Sequence, residues 1–262
     1  MKVGIFQFNP IFGEAANNLE RITETLMKTD ADLVVLPELC VSGYQFVSES
    51  EVQSLCEAIP EGRTVRRFVE ICREKTMFLV AGIGELDGGV CYNASVLVGA
   101  DGIIAAYRKI HLFAEEKNWF RPGDQPFQVN HIGNIGIGMM ICYDWIYPES
   151  ARSLALAGAD IICHPSNLIL PYCPDAMITR SIENRVFTIT ANRTGTEARG
   201  GKPPLTFIGQ SQVTSPKGER LVRFGPEEEG IKVTEIDIQM ARNKRITPKN
   251  HLWEDRKPKL YS

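Results

Sequence analysis

Three short segments carry side chains able to make and break a covalent bond, and each stands where an apolar run ends. In Leu-Val-Val-Leu-Pro-Glu-Leu, residues 33–39, Pro37 stops the run and Glu38 follows it directly. A carboxylate beside a buried strand end has a raised pKa and becomes a base near neutral pH. In Ala-Tyr-Arg-Lys-Ile-His-Leu-Phe, residues 106–113, strand alternation puts Lys109 on one face with Tyr107 and His111. An ammonium held in an apolar site stabilises developing negative charge. Nothing around His111 spells a metal site or a proton relay, so it reads as a hydrogen-bonded structural histidine. In Gly-Ile-Gly-Met-Met-Ile-Cys-Tyr-Asp-Trp-Ile-Tyr-Pro-Glu, residues 136–149, a buried strand is expected to end at Cys142, with a turn and then a helix near Pro148. Such a turn presents a thiol outward while nearby backbone N–H groups can bind an oxyanion. A free thiol has a pKa of about 8.5, so it needs a partner that takes its proton or stabilises its thiolate. Glu38 and Lys109 are a base and an anion stabiliser of the right types.

Bringing these groups together requires strands whose ends converge. Short runs rich in Val, Ile and Phe alternate with segments of helical spacing, the pattern of an α/β domain. Strands are expected over 2–8, 32–37, 77–85, 91–98, 103–108, 135–142, 161–164 and 186–192, with a last pair at 220–224 and 231–236. Helices are expected over 14–28, 64–75, 148–157 and 175–185. In the first of them Leu19, Ile22 and Leu26 recur at spacings of three and four and share one face. Pro148 suits a first helical turn and Gly158 suits the exit. Residues 195–205 read as a long loop by composition, and 241–262 as a polar C-terminal tail without a clear period. No low-complexity linker and no repeat with a period of roughly 20 to 50 residues divides the chain, so residues 1–262 read as a single domain.

Composition narrows the partners. Hydrophobic residues at 44% and charged residues at 23% allow a substantial core and argue against disorder. With a net charge of -3 and no Lys/Arg stripe to follow a phosphate backbone, no nucleic acid is expected and a small molecule fits better. The apolar start ends at Asn9 and Pro10, too soon for a signal-peptide core or a membrane span, so no membrane partner is expected. Seven scattered cysteines, with no CxxC pair and no metal-ligand spacing to the four histidines, argue against zinc and against a disulfide framework. A reducing cytoplasm is the expected location.

Together, Pro-Glu38-Leu, Tyr-Arg-Lys109-Ile-His-Leu-Phe and Ile-Cys142-Tyr-Asp-Trp-Ile-Tyr-Pro-Glu resemble, in order and separation, the three motifs of the carbon-nitrogen hydrolase (nitrilase-like) superfamily. The similarity runs from the first strand to about Arg245 and includes His-Pro-Ser-Asn at 164–167 and Arg-Ser-Ile-Glu-Asn-Arg at 180–185. The resemblance implies a four-layer α-β-β-α sandwich, assembled as a homodimer or higher homo-oligomer through a helical face. It implies a Glu38–Lys109–Cys142 triad that needs no metal or organic cofactor. It also implies a second carboxylate in the pocket, a position that Glu116 matches better than Glu115. The Tyr143 backbone N–H is expected to share the oxyanion with Lys109, Tyr44 and Trp145 to line an apolar pocket, and Asn167 to bind substrate.

The implied reaction is hydrolysis of a non-peptide carbon–nitrogen bond in a small amide or N-carbamoyl compound, through a cysteine thioester, to an acid and ammonia or an amine. Tyr-Asp-Trp after Cys142 is closer to the amidase and carbamoylase branches than to nitrilases with Cys-Trp-Glu. Ile146 stands where omega-amidase-like members carry an arginine that grips a carboxylate. An aliphatic nitrilase, an acyltransferase and a non-catalytic binding protein are the alternatives.

Overall fold

In the computed structural model, which describes residues 1–261, the chain opens with strand β1 (Lys2–Gln7) and then alternates helix and strand. Helix α1 (Ala15–Met27) buries Leu19, Ile22 and Leu26, the stripe read from their spacing. Then come β2 (Leu33–Val35), α2 (Glu49–Leu55), α3 (Arg63–Lys75), β3 (Phe78–Asp87), β4 (Val90–Gly99) and β5 (Gly102–Arg108). The second half runs α4 (Glu116–Trp119), β6 (Val129–Ile132), β7 (Ile135–Met139), α5 (Pro148–Leu156), β8 (Ile161–Pro165), α6 (Cys173–Asn184) and β9 (Phe187–Ala191). It continues through β10 (Thr196–Glu197), β11 (Leu205–Thr206), β12 (Gln212–Thr214), β13 (Arg220–Arg223) and β14 (Gly230–Glu235). A last turn of helix, α7 (Gln239–Arg242), and a short pair, β15 (Arg245–Thr247) and β16 (Asn250–His251), follow.

Two six-stranded sheets form, in the orders β14-β1-β2-β3-β4-β5 and β13-β12-β9-β8-β7-β6. Each has three parallel strands, β1-β2-β3 and β7-β8-β9, extended by antiparallel strands on both sides. Strand alternation then fixes the layers. Val3, Ile5, Leu33 and Val35 meet Ile137, Met139, Ile161 and Ile189 between the sheets. Phe6, Val34 and Leu36 point the other way, onto Leu19, Ile22, Val65 and Phe68 of α1 and α3. Leu154 of α5 and Met177 of α6 cover the second sheet, which completes a four-layer α-β-β-α sandwich.

Several elements depart from the sequence reading. The strand expected over 135–142 stops at Met139, because the backbone turns left-handed at Cys142. The segment read as a loop over 195–205 begins and ends in a short antiparallel pair, β10 with β11. Helices α2 and α4 and strands β6 and β12 went unread, being short or, in α2, polar at all but Val52 and Leu55. Residues 241–261 are anchored: Arg242 pairs with Asp160, and Lys244 Nζ donates to the carbonyls of Asn184 and Arg185 at the end of α6. Among the described residues no helix is long and apolar enough to cross a membrane.

Candidate active site

Glu38, Lys109 and Glu116 meet in one buried cluster. Glu38 follows the end of β2 in a turn where Leu39 has a φ of 48°, and β3 passes directly beneath it at Gly82. A Cβ on Gly82 would lie 2.4 Å from the Glu38 Cα, so only glycine admits this approach. Lys109 is the residue after β5, and its Nζ donates to Glu38 Oε1 at 2.7 Å and to Glu116 Oε1 at 2.8 Å. Lys109 and Glu38 are fully buried and Glu116 is 3% exposed. Asn93 of β4 joins the two halves of the cluster: its Nδ2 donates to Glu38 Oε1 at 2.6 Å and its carbonyl accepts from the Lys109 N–H at 2.8 Å. Burial disfavours the Lys109 ammonium, but Glu116 and Glu38 outweigh it and raise its pKa. Burial likewise raises the Glu116 carboxyl, with Lys109 opposing. Glu38 Oε2 is buried with no hydrogen-bond partner among the described residues.

Cys142 opens a 3-10 turn (Cys142–Ile146) with a φ of 41°, a conformation that presents its side chain off the end of β7. Asp144 holds the turn: its carboxylate accepts from the Ile141 N–H at 2.8 Å and the Tyr107 hydroxyl at 2.8 Å, and pairs with His111 Nδ1 at 2.7 Å. His111 is thus a structural residue, as its sequence setting suggested. Burial is the main cause raising the Cys142 thiol, followed by the Glu38 charge, while Lys109 and the Asn167 backbone N–H lower it. These charges act on one sulfur because the turn places it beside the Glu38–Lys109–Glu116 cluster.

His164 of β8 holds the Cys142 backbone. Its Nε2 donates to the Cys142 carbonyl at 2.9 Å, and burial pushes its pKa down to about 4. The sign follows: between its ordinary 6.5 and about 4 the unfolded chain takes up a proton that the folded chain refuses. The His164 contribution is therefore present above pH 6.5 and lost as the pH falls toward 4, by about 3 kcal/mol in total. Denaturant unfolding at pH 7 and pH 5 should show a smaller acid loss in His164→Asn than in the wild type. Equal losses would remove His164 as the cause.

Residues 2–246 match the sequence model of the family described as carbon-nitrogen hydrolase. The chain is a carbon-nitrogen hydrolase. A relative from Pyrococcus abyssi named "Nitrilase" is 46% identical over 100% of this chain and 99% of its own. The crystal structure of a carbon-nitrogen hydrolase from Helicobacter pylori G27 aligns with a TM-score of 0.90 at 27% identity, over 100% of this chain and 97% of that one. A mutant amidase from Nesterenkonia sp. AN1, bearing the product of acrylamide addition at its active-site cysteine, aligns with a TM-score of 0.81 at 27% identity, over 94% and 96%.

In this hydrolase the remaining expected site residues are divided. The Tyr44 hydroxyl donates to Glu116 Oε1 at 2.7 Å, so it joins the cluster directly. Tyr44 also lines a cavity of about 290 Å³ together with Phe46, Phe113, Glu116, Trp119, Ile169, Lys202 and Leu205. The Tyr143 ring lies 5.0 Å from that of Phe113, at the same end of the sheets. The Asn167 side chain is buried, and neither its Oδ1 nor its Nδ2 has a partner among the described residues. Trp145 is buried in the core cluster that also holds Cys142, Met139 and Leu154. Asn93, Asp144 and His164 carried no assigned role in the sequence reading. A buried asparagine inside the apolar strand at 91–98 was the available signal for the first.

Proposed function

We propose that Cys142 is the nucleophile, Glu38 the general base and Lys109 the stabiliser of the oxyanion, in hydrolysis of a small amide or N-carbamoyl compound. The observation that carries this reading is the buried Glu38–Lys109–Glu116 cluster facing a thiol on a left-handed turn. Glu38 takes the thiol proton, with its unpartnered Oε2 as the natural acceptor. The sulfur attacks the carbonyl carbon, and Lys109 and the Tyr143 backbone N–H hold the oxyanion. Glu38 returns the proton to the leaving nitrogen, ammonia or an amine departs, and a thioester remains. Water then gives its proton to Glu38, attacks the thioester and releases the acid. Glu116 orients Lys109 or the leaving group, and the unpaired amide of Asn167 suits a polar group of the substrate.

Substrate charge follows from the cavity. Its walls are mainly aromatic and aliphatic, and Lys202 is already engaged by Glu115 at 2.6 Å and the Phe46 carbonyl at 2.8 Å. Lys109 is shared by two carboxylates. A substrate carboxylate would find no unpaired cation among the described residues that line the cavity. An uncharged or cationic amide, including an N-carbamoyl amine, should have a higher kcat/KM than an ω-carboxylate amide of equal length, with nitriles below amides. Side-by-side kinetics test the order. An ω-carboxylate amide or a nitrile ahead by about tenfold, about 1.4 kcal/mol, would overturn it. The second reading, an aliphatic nitrilase, is favoured by the name of the Pyrococcus abyssi relative.

Assembly as a homodimer or higher homo-oligomer is part of this proposal. Leu156 of α5 and Ile182 of α6 are exposed on the outer helical layer, with Ile146 and Tyr147 just before α5. A cytoplasmic location accords with seven free cysteines.

A further inference from the structure

Arg193 and Glu197 form a buried ion pair that the proposed reaction does not use. Arg193 is 1% exposed and Glu197 5%. Every guanidinium nitrogen is engaged: besides Glu197 the group donates to Asn9 Oδ1 at 2.6 Å, the Pro10 carbonyl at 2.9 Å and the Thr194 carbonyl at 3.1 Å, and it lies 4.1 Å over the Phe207 ring. Such a pair adds little net stability, since desolvation offsets much of the attraction. What it does supply is a carboxylate at a fixed point, and that carboxylate is the acceptor for the loop after β2. Glu197 accepts from the Tyr44 N–H at 3.1 Å and the Gln45 N–H at 2.5 Å. Gly43, with a φ of 83°, makes the approach possible; a Cβ there would lie 2.7 Å from the Phe12 Cα and 3.0 Å from Glu197 Oε1.

The side chain of Tyr44 leaves this anchored backbone for the catalytic cluster. Its hydroxyl donates to Glu116 Oε1, the oxygen that also accepts from Lys109 at 2.8 Å. The Tyr44 ring stands edge-on to Phe207 at 5.9 Å, so the ring beneath Arg193 also limits where Tyr44 can go. We propose that Glu197, held by Arg193, is a positioning residue that aims Tyr44 at Glu116 and thereby keeps Lys109 in place. This rests on the mechanism proposed above, and it adds a dependence of turnover on a carboxylate that touches none of the reacting groups.

A double-mutant cycle on an amide that the wild type hydrolyses tests the route. Glu197→Gln and Tyr44→Phe should each lower kcat about tenfold and change KM by less than about threefold. If Glu197 acts through Tyr44, the double variant should also stand about tenfold below wild type rather than about a hundredfold, a coupling of about 1.4 kcal/mol. The acid limb of the kcat profile should move to higher pH in both single variants, because the Tyr44 hydrogen bond lowers the Glu116 carboxyl pKa. Glu197→Asp, which keeps the charge, should recover part of the lost kcat, and it replaces Glu197→Gln in the cycle if that variant does not fold. A multiplicative double variant, or Glu197→Gln with wild-type kcat, overturns the positioning role and leaves the Cys142 mechanism standing. Full turnover in Cys142→Ala would instead sink the mechanism and this inference with it.

Discussion

Cys142→Ala is expected to give folded protein whose kcat/KM for any amide is at least about 10^4-fold below wild type, a loss of more than about 5 kcal/mol of transition-state stabilisation. Without the sulfur no thioester forms, and Lys109 and Glu38 are left to polarise an amide and a water. The same residue should carry the fast-reacting label when the native protein meets an alkylating agent. All seven cysteines are free and buried, so exposure does not single out Cys142. Cys40 and Cys163 have thiols raised by burial, and no ammonium lowers either of them. Only at Cys142 do Lys109 and a backbone N–H favour the thiolate while a carboxylate stands ready for the proton. Replacing Cys40 or Cys163 by Ala should reduce stability by about 1–2 kcal/mol and leave kcat unchanged. Ammonia release, with peptide mapping of the alkylated protein, measures both halves. A Cys142→Ala variant with wild-type turnover would end the nucleophile assignment.

Much of this arrangement was legible because the chemistry stands at strand ends. Glu38 and Cys142 each follow a run whose apolar content marks a buried strand, and Lys109 follows the half-exposed β5; a residue type that is costly to bury is conspicuous at such ends. Their convergence was not visible from periodicity, since it depends on the order of strands in two sheets. The resemblance to a family supplied it. Hydropathy also missed the end of β7, because Met140 and Ile141 continue the apolar run while the change at Cys142 is one of backbone handedness. Asn93 reaches Glu38 only because the β3–β4 register sets it opposite Gly84, beyond the turn that carries Glu38. Glu197 was hidden for a different reason. It lies in a polar, glycine-rich stretch whose composition says loop, and its burial is set by Arg193 and by backbone donors 152 and 153 residues away.

Glu38→Gln should separate the reactivity of the thiol from turnover. The substitution keeps the shape of the side chain and an acceptor for Asn93, but it removes the charge and the only proposed proton carrier. Loss of a general base of this kind lowers turnover by about 10^2–10^4-fold, and serving both half-reactions places Glu38 toward the upper end. The effect on the resting sulfur runs the other way. The Glu38 charge raises the Cys142 pKa, while Lys109 lowers it. Removing the carboxylate leaves Lys109 facing Glu116 alone, so the thiolate becomes easier to form and the pH midpoint of alkylation should move down. The two measurements are therefore expected to diverge: ammonia release collapses at every pH, while iodoacetamide labels Cys142 at a lower pH than in the wild type. Lys109→Met should do the opposite to the sulfur, raising its midpoint, and should also abolish turnover because the oxyanion loses its cation. If Glu38→Gln moved the alkylation midpoint up, or left hydrolysis within about tenfold of wild type, the carboxylate would not be the base that serves Cys142.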